Sequence, residues 1–265
     1  MVPAATRAVV TQRHGGALSV AVLDHAPRPA WMGTVRIVAI VFDFDGLLMD
    51  TETTLLECWQ YEWRHHGLEL DPATFFADHG GDITVERYQQ LAAAVGPSYD
   101  YEASHARRTA YRQQLHEHLG LRDGIDAWLT QAHDAGIQCA VASSSHEQWV
   151  TGMLRGIGRL DAFSTLAFGN EVPAVKPAPD VYLLALERLG LDPAQAIAVE
   201  DTPHGVTAAK AAGLRCIAIP NPFVDATRFT EADLLLPSAA ALSLRAAFAA
   251  LDNQATERCE QKAAN

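Results

Sequence analysis

Short apolar runs recur along this chain, separated by stretches in which apolar residues have helical spacing. The first run, residues 37–42, is continuous and rich in β-branched side chains, which is typical of a strand buried on both faces of a sheet. Between the runs, residues 179–189 and 203–212 carry proline in the first turn and precede a glycine, as helices do. Further strand-like runs occupy residues 137–142, 165–168, 196–199 and 216–219. Strands that alternate with helices predict a parallel sheet with right-handed crossovers.

The lengths of the crossovers predict a second domain. Three crossovers use 22, 27 and 16 residues, whereas the first, from Asp43 to Gly136, uses 94. Because a crossover needs only about a dozen residues, and a helix predicted at 123–135 supplies them, about 70 residues are surplus. The surplus, residues 53–119, has helical patterns at 54–65, 84–94 and 101–119 and no strand-like run. We therefore predict an α/β fold in which a Rossmann-like parallel sheet core, residues 37–52 and 120–251, carries an inserted all-helical cap, residues 53–119.

The two ends of the chain differ from the rest in composition. Residues 1–36 are rich in Ala, Pro and Gly and carry four Arg and one Asp, a net charge of +3. We interpret them as a partly disordered N-terminal extension, within which residues 20–23 could add a short strand. Residues 252–265 are expected to form a frayed polar tail.

Net charge and cysteine usage limit the functional classes. The formal charge of −12, from 32 acidic and 20 basic residues, disfavours binding to nucleic acid or to an anionic membrane. The four cysteines are widely spaced and form no CxxC pair, so we expect reduced thiols. No apolar run approaches the roughly 18 residues of a membrane span. We therefore expect a soluble cytoplasmic protein; the oligomeric state stays open, with a monomer favoured.

Polar residues follow four of the predicted strands at the point where each strand ends. Because the carboxyl ends of parallel strands share one edge of a sheet, these residues should converge on one crevice. Two carboxylates directly after a buried strand are costly unless a positive charge compensates them, and a divalent cation would do so. The sequence therefore predicts a metal and oxyanion site. Its candidate residues are Asp43, Asp45, Ser143, Ser144, Lys176, Glu200 and Asp201.

The order of these motifs resembles that of the haloacid dehalogenase-like superfamily. Four stretches are similar to its phosphatase and phosphoglucomutase branch: 43–52 (DFDGLLMDTE), 141–145 (VASSS), 176–182 (KPAPDVY) and 199–213 (VEDTPHGVTAAKAAG). The similarity extends in the same order over residues 37–250. Four motifs in the right strand context are far more specific than one DxD pair alone.

The resemblance implies a mechanism and a role for each motif. Asp43 would attack phosphorus and form an aspartyl-phosphate, while Asp45 would act as general acid and then as general base. Mg²⁺ would be held by Asp43, the backbone carbonyl of Asp45 and Asp201, with Glu200 in support. The charge of the phosphoryl group would be stabilised by Ser143, Ser144 and Lys176.

Each motif alone also has a structural interpretation. Asp43 and Asp45 could form a polar turn, and Lys176 could be a solvated loop residue. Ser143 could cap a helix at 146–154, and the acidic pair at 200–201 could cap the helix that begins at Pro203. The presence of all the motifs together favours the catalytic interpretation.

The predicted cap offers candidates for reading the substrate. The loop around His79, Gly81 and Asp82 lies between helical segments, where the family presents its specificity loop. Arg87 is a weaker candidate for a second anionic group on the substrate, and a solvated helix face is the favoured interpretation. The remaining histidines of the insertion are expected to lie mostly on helix surfaces.

Other chemistries of the superfamily fit this sequence less well. Dehalogenation would leave Asp45 and the metal ligands without a purpose, and phosphonate cleavage needs a cap lysine that residues 53–119 lack. A β-phosphoglucomutase-like phosphomutase remains an alternative, although residues 51–55 contain no histidine where such mutases have one. A catalytically silent binding protein is a further alternative. We predict a Mg²⁺-dependent phosphatase for a small phosphorylated metabolite, a sugar or polyol phosphate.

Overall fold

The strands form two separate sheets in the computed structural model, which describes residues 10–14, 17–21, 37–76 and 83–263. The first sheet is an antiparallel hairpin of β1 (Val10–His14) and β2 (Ala17–Ala21). It belongs to one compact unit, Met1–Ala30, and the chain from Trp31 to Asn265 forms another. The strand that the sequence suggested at 20–23 thus begins three residues earlier.

The second sheet has six parallel strands in the order β5-β4-β3-β6-β7-β8. Its central strand, β3, pairs with β4 on one side and β6 on the other, so that Val41 lies opposite both Ala140 and Ala198. All four residues of β3 are buried, which explains the continuous apolar run. The strands are β3 (Ala39–Phe42), β4 (Gln138–Ser143), β5 (Thr165–Phe168), β6 (Ala196–Glu200), β7 (Arg215–Ala218) and β8 (Leu234–Leu235). β8 is two residues long, too short for a periodic signal, and the sequence analysis missed it.

In the described residues, five helices lie between β3 and β4, and the first four of them form the inserted segment. α1 and α4 lie against each other, and a separate apolar cluster that includes Leu56, Trp59 and Leu91 packs within this region. Side chains of Asp50 and Asp100 accept hydrogen bonds from the first turns of α1 and α4, which fixes where both helices begin. The helices are α1 (Thr51–His65), α2 (Pro72–Phe75), α3 (Thr84–Val95) and α4 (Tyr101–His116). The described part of the segment between β3 and β4 contains no strand.

Five helices cover the two faces of the parallel sheet. One apolar cluster joins Ile40 and Phe42 to α5, α6 and α9, whereas Ala39 and Val41 pack toward α7 and α8 on the other face. The helices are α5 (Ile125–Asp134), α6 (Glu147–Gly156), α7 (Asp180–Leu189), α8 (Pro203–Ala211) and α9 (Leu244–Ala263). The prediction of a frayed tail from residue 252 is wrong as far as Ala263, because the helix continues through it.

The entry and exit of the four-helix segment lie side by side. Met49 forms a β-bridge with Leu121, and the backbone N–H of Arg122 donates to the carbonyl of Leu48 at 2.8 Å. The Arg122 guanidinium donates to the carbonyls of Gly46 and Pro220, which tethers two strand-end loops. The α/β fold with its inserted helical cap is therefore confirmed, and the boundaries at residues 53 and 119 stay predictions.

Candidate active site

The turn after β3 places two carboxylates at the edge of the sheet. The backbone N–H of Asp43 still donates to the carbonyl of Val199 on β6 at 2.9 Å, so the chain leaves the sheet only after this residue. Gly46 turns it back with φ +77°, and its N–H donates to Thr51 Oγ1 at 3.0 Å. A Cβ at Gly46 would lie 2.2 Å from Asp201 Oδ2. Glycine is required here on both counts.

Lys176 is buried between two carboxylates. Its ammonium donates to Asp43 Oδ1 and, at 2.7 Å, to Glu200 Oε1. Tyr182 OH donates to the same Glu200 oxygen at 2.7 Å, and Lys176 lies 4.9 Å from the Tyr182 ring centroid. The other oxygen, Glu200 Oε2, accepts the backbone N–H of Asp201 at 3.1 Å. Glu200, which is completely buried, therefore orients Lys176 toward Asp43.

Three acidic side chains form a group that could hold a cation. Carboxylate oxygens of Asp43, Glu200 and Asp201 lie within 4.8 Å of one another. Asp201 Oδ2 accepts Asn221 Nδ2 at 2.8 Å, while Oδ1 is buried and has no hydrogen-bond partner in the described part of the chain. Hard oxygen ligands, one of them with an unfilled acceptor, suit Mg²⁺. The residues present therefore fit the predicted metal.

The electrostatics of this group call for additional positive charge. Burial raises the pKa of Asp43 to about 8, with the charge of Glu200 adding to it, although Lys176 opposes the shift. Burial and the charges of Asp43 and Glu200 raise the pKa of Asp201 well above its usual range. For Lys176, burial alone would lower the pKa, but Asp43 and Glu200 raise it above its ordinary value. A cation in the group would let both aspartates stay ionised at neutral pH.

The carboxylate of Asp45 is not part of the three-carboxylate group and accepts hydrogen bonds from two other side chains. Ser145 Oγ donates to Asp45 Oδ2 at 2.6 Å, and Trp149 Nε1 donates to Asp45 Oδ1 at 2.9 Å. Ser143 is 1% exposed at the end of β4, and its Oγ accepts the backbone N–H of Ser145 at 3.0 Å. Ser144 is exposed. The serine that contacts the carboxylate of Asp45 is thus Ser145. The phosphate-binding roles of Ser143 and Ser144 stay predictions.

The cap candidates divide into two groups. His79, Gly81 and Asp82 lie outside the described residues. Arg87 lies on α3, but the expectation of a solvated helix face is wrong: the residue is 7% exposed, and its guanidinium carbon lies 3.8 Å from the centroid of the Phe75 ring. The pairing was hidden because Phe75 belongs to a different helix.

Glu52 of α1 is affected both by Asp45 and by two arginines of the cap, Arg87 on α3 and Arg112 on α4. Burial, and after it the charge of Asp45, raises the pKa of Glu52 to about 7, while Arg87 and Arg112 pull it down. The charges of both arginines and of Asp45 therefore influence the ionisation of the same side chain, Glu52. Arg87 lies on α3 and Arg112 on α4, so two helices of the cap bring positive charge to Glu52.

Four residues at the site were missed by the sequence analysis. Asn221 follows the end of β7, so the strand-end argument could have found it. Ser145 is one residue beyond the pair that the argument selected. Tyr182 and Trp149 lie on helices α7 and α6, and helical periodicity gives no sign that either would reach a carboxylate.

The chain is similar to several known proteins. The sequence profile of the haloacid dehalogenase-like hydrolases matches residues 40–219. YhcW, a putative phosphatase of Bacillus subtilis, is 35% identical over 209 residues, which make up 78% of this chain and 94% of that protein. The fructose-1-phosphate phosphatase YqaB of Escherichia coli is 30% identical over 186 residues, 69% of this chain and 96% of YqaB. The solved structure of CbbY from Rhodobacter sphaeroides in complex with phosphate is 32% identical, with a TM-score of 0.63 over 82% of this chain and 99% of that one.

Fold and site together define an α/β enzyme of the capped Rossmann-like class. Its carboxyl edge carries an acidic group and a buried lysine, and a helical segment is inserted after the first strand of the parallel sheet. The chain belongs to the haloacid dehalogenase-like hydrolase family. The resemblance to its phosphatase and phosphoglucomutase branch is confirmed.

Proposed function

We propose that this protein is a Mg²⁺-dependent phosphatase that hydrolyses a small phosphorylated metabolite, a sugar or polyol phosphate. The single observation that carries the proposal is the position of Asp43: it contacts buried Lys176 and lies with Asp201 in a group that fits a divalent cation. The enzyme class, phosphoric monoester hydrolase, is supported by the phosphatase relatives.

Asp43 is the proposed nucleophile. One of its oxygens attacks phosphorus, the bond from phosphorus to the ester oxygen breaks, and an aspartyl-phosphate forms. Lys176, which already donates to Asp43, balances the charge of the carboxylate and of the phosphoryl oxygens. When bound by Asp43, Asp201 and the backbone carbonyl of Asp45, with Glu200 in support, Mg²⁺ would neutralise the remaining phosphoryl charge.

Asp45 is the proposed general acid and base. In the first half-reaction its protonated form gives a proton to the departing alkoxide, and in the second its carboxylate takes a proton from the water that attacks phosphorus. The second step releases inorganic phosphate and restores Asp43. Atoms and charges balance over the two halves, since one water is consumed for each ester cleaved.

A small substrate is proposed because α4 of the cap packs on Trp149, whose N–H donates to Asp45. The positive side chains Arg87 and Arg112 near Glu52 suit an anionic, hydroxyl-bearing molecule. A relative named as a fructose-1-phosphate phosphatase supports a sugar phosphate. The proposed location is the cytoplasm, which is consistent with free thiols at Cys58, Cys139 and Cys216. In the part of the chain that the structure describes, every helix is too short or too polar to span a bilayer.

The test is phosphate release from p-nitrophenyl phosphate and from a panel of sugar and polyol phosphates. We expect turnover with Mg²⁺, loss with EDTA, and loss of at least about 1,000-fold in Asp43→Asn. Turnover that is unchanged by Mg²⁺, by EDTA and by Asp43→Asn would exclude the metal-dependent aspartyl-phosphate mechanism. Absence of turnover with every substrate, in a protein that still binds phosphate, would favour the catalytically silent alternative.

A phosphomutase is the second candidate, and one observation favours it. Residues 51–55 lack a histidine, but the structure brings His116 of α4 to this segment, with Nε2 3.1 Å from Thr54 Oγ1. Incubation with β-glucose 1-phosphate and its bisphosphate separates the two candidates. Isomerisation without phosphate release would establish the mutase, and phosphate release would exclude it.

A further inference from the structure

The carboxylate of Asp45 is held by two donors from the segment that follows β4. Ser145 Oγ lies 2.6 Å from one oxygen and Trp149 Nε1 lies 2.9 Å from the other. The two donors are 100 and 104 residues from Asp45 in sequence. Both oxygens of the side chain are therefore engaged, and its orientation is set by the core rather than by the turn that carries it.

The ring of Trp149 is in contact with the cap. The guanidinium carbon of Arg112 lies 4.5 Å from the ring centroid, and the imidazole centroid of His116 lies 5.1 Å from it. Both residues lie on α4. His116 is itself fixed by Thr54 Oγ1 on α1. A single indole thus touches α4 of the cap with its face and a carboxylate of the core with its N–H.

We propose that Trp149 is a positioning residue that couples the cap to Asp45. Its N–H holds the carboxylate, while Arg112 and His116 hold the ring, so the orientation of Asp45 depends on where α4 lies. The inference rests on the proposed role of Asp45 as general acid and base.

The coupling has a chemical consequence for the two half-reactions. The proposed acid and base must lie within hydrogen-bond reach of the ester oxygen in the first half-reaction and of the attacking water in the second. Because the indole N–H fixes one oxygen of Asp45 and the indole ring packs on α4, loss of this N–H should impair the steps in which Asp45 transfers a proton. A step in which no proton moves should be affected much less.

The kinetic test compares Trp149→Phe with Trp128→Phe. Both substitutions remove an indole N–H and keep a ring, but Trp128 donates to the carbonyl of Leu242 at 2.9 Å in the core. The readout is kcat/KM for an alkyl phosphate and for p-nitrophenyl phosphate, because p-nitrophenolate leaves without a proton and an alkoxide does not. We expect Trp149→Phe to lower the alkyl value by about tenfold or more and the aryl value by less than about threefold.

A second readout does not depend on activity. In ¹⁵N-tryptophan-labelled protein, the indole N–H signals of Trp149 and Trp128 are identified by their absence in the two variants. We expect Asp45→Ala to speed hydrogen exchange at the Trp149 N–H by about tenfold or more, and Arg112→Met to speed it by at least about threefold, with no change at Trp128.

The outcomes separate this inference from the proposed function. Equal loss for alkyl and aryl substrates in Trp149→Phe, or Trp149 exchange that is unchanged in Asp45→Ala and Arg112→Met, would overturn the positioning role. If Asp43→Asn remained active, the proposed function would fail, and the exchange data would still report whether Trp149 joins Asp45 to α4. In the control Trp128→Phe, we expect the ratio of kcat/KM for the alkyl phosphate to kcat/KM for p-nitrophenyl phosphate to equal that of the wild type.

Discussion

Asn221 Nδ2 donates to Asp201 Oδ2 at 2.8 Å, and both side chains are buried. The contact engages Oδ2 of the Asp201 carboxylate, and Oδ1 stays buried without a hydrogen-bond partner among the described residues. Backbone N–H of Phe223 in turn donates to Asn221 Oδ1 at 3.0 Å, and the Phe223 ring stacks on Phe76 of the cap at 4.2 Å. The neutral amide of Asn221 thus orients Asp201, a candidate metal ligand. Through Phe223, which stacks on Phe76, the same amide is connected to the cap.

Asn221→Ala is expected to weaken Mg²⁺ binding by about 10–100-fold, because a carboxylate that loses its orienting donor loses its geometry for the metal. Titration calorimetry with Mg²⁺ measures the change. The control is Asn170→Ala, since the exposed Asn170 accepts the N–H of Glu147 at 3.0 Å in another part of the core. Equal Mg²⁺ affinities in the wild type and Asn221→Ala would show that the amide does not position Asp201.

Gly46→Ala should abolish activity as well as cost stability. The left-handed backbone alone costs about 1–2 kcal/mol with a side chain, and the added Cβ would also collide with Asp201 Oδ2. Gly190, with φ +66° and nothing within 4 Å of an added Cβ, is the matched control. Urea unfolding should show losses in both variants, whereas only Gly46→Ala should lose more than about 100-fold in kcat/KM. Equal losses of kcat/KM in Gly46→Ala and Gly190→Ala would show that the contact of the added Cβ with Asp201 is not the cause.

Lys176→Met should destabilise the metal-free protein by about 3–5 kcal/mol, because it leaves Asp43 and Glu200 buried without their cation. It should also remove measurable turnover. Lys210→Met tests the specificity of the effect: Lys210 pairs with Asp233 at 2.5 Å, but the two side chains are 32% and 20% exposed. A loss of only about 1 kcal/mol is expected there, measured by the same denaturant titration. If the two variants lost equal stability, burial of the Lys176 pair would not be the cause.

The contribution of His116 to stability should fall as the pH drops from about 6.5 toward 4, opposite in sign to that of the buried carboxyl groups with raised pKa values. Burial, and after it the charge of Arg112, lowers the pKa of His116 to about 4, whereas an unfolded histidine titrates near its ordinary 6.5. Between these values the unfolded state binds a proton that the folded state refuses, so the free energy of unfolding decreases with acidification.

The measurement is urea unfolding of the wild type, His116→Gln and His118→Gln at pH 7.5, 6 and 5. The stability of His116→Gln relative to the wild type should rise as the pH is lowered from 7.5 to 5, because the unfavourable contribution of His116 is gone. His118, which is exposed on the turn after α4, serves as the control and should keep the wild-type slope. If the free energy of unfolding changed equally with pH in all three proteins, His116 would not be the source of the effect.

The catalytic edge could be predicted from the sequence because parallel topology gathers strand ends regardless of side-chain detail. Asp43, Lys176, Glu200 and Asp201 are brought together as that argument requires. The same argument extends to Asn221 after β7, and only the search for charged residues kept it from being selected.

The contacts between elements could not be predicted, because they depend on how helices are rotated about their axes. Trp149 and Asp45 meet only because α6 turns its indole to the strand end. Arg87 is buried by Phe75, although helical spacing alone favours an exposed position. Two-residue β8 lies below the length at which alternation can be recognised.

The bridge between Met49 and Leu121 places the beginning and the end of the helical insertion next to each other on the core. Since both ends of the insertion leave the core at adjacent, hydrogen-bonded positions, a short turn could join them without moving the sheet. Evolution can therefore exchange the lid over this catalytic edge for another of different length, and with it the range of molecules admitted, while the edge itself stays unchanged. A deletion variant in which a short turn joins residue 49 to residue 121 would contain the core without its insertion.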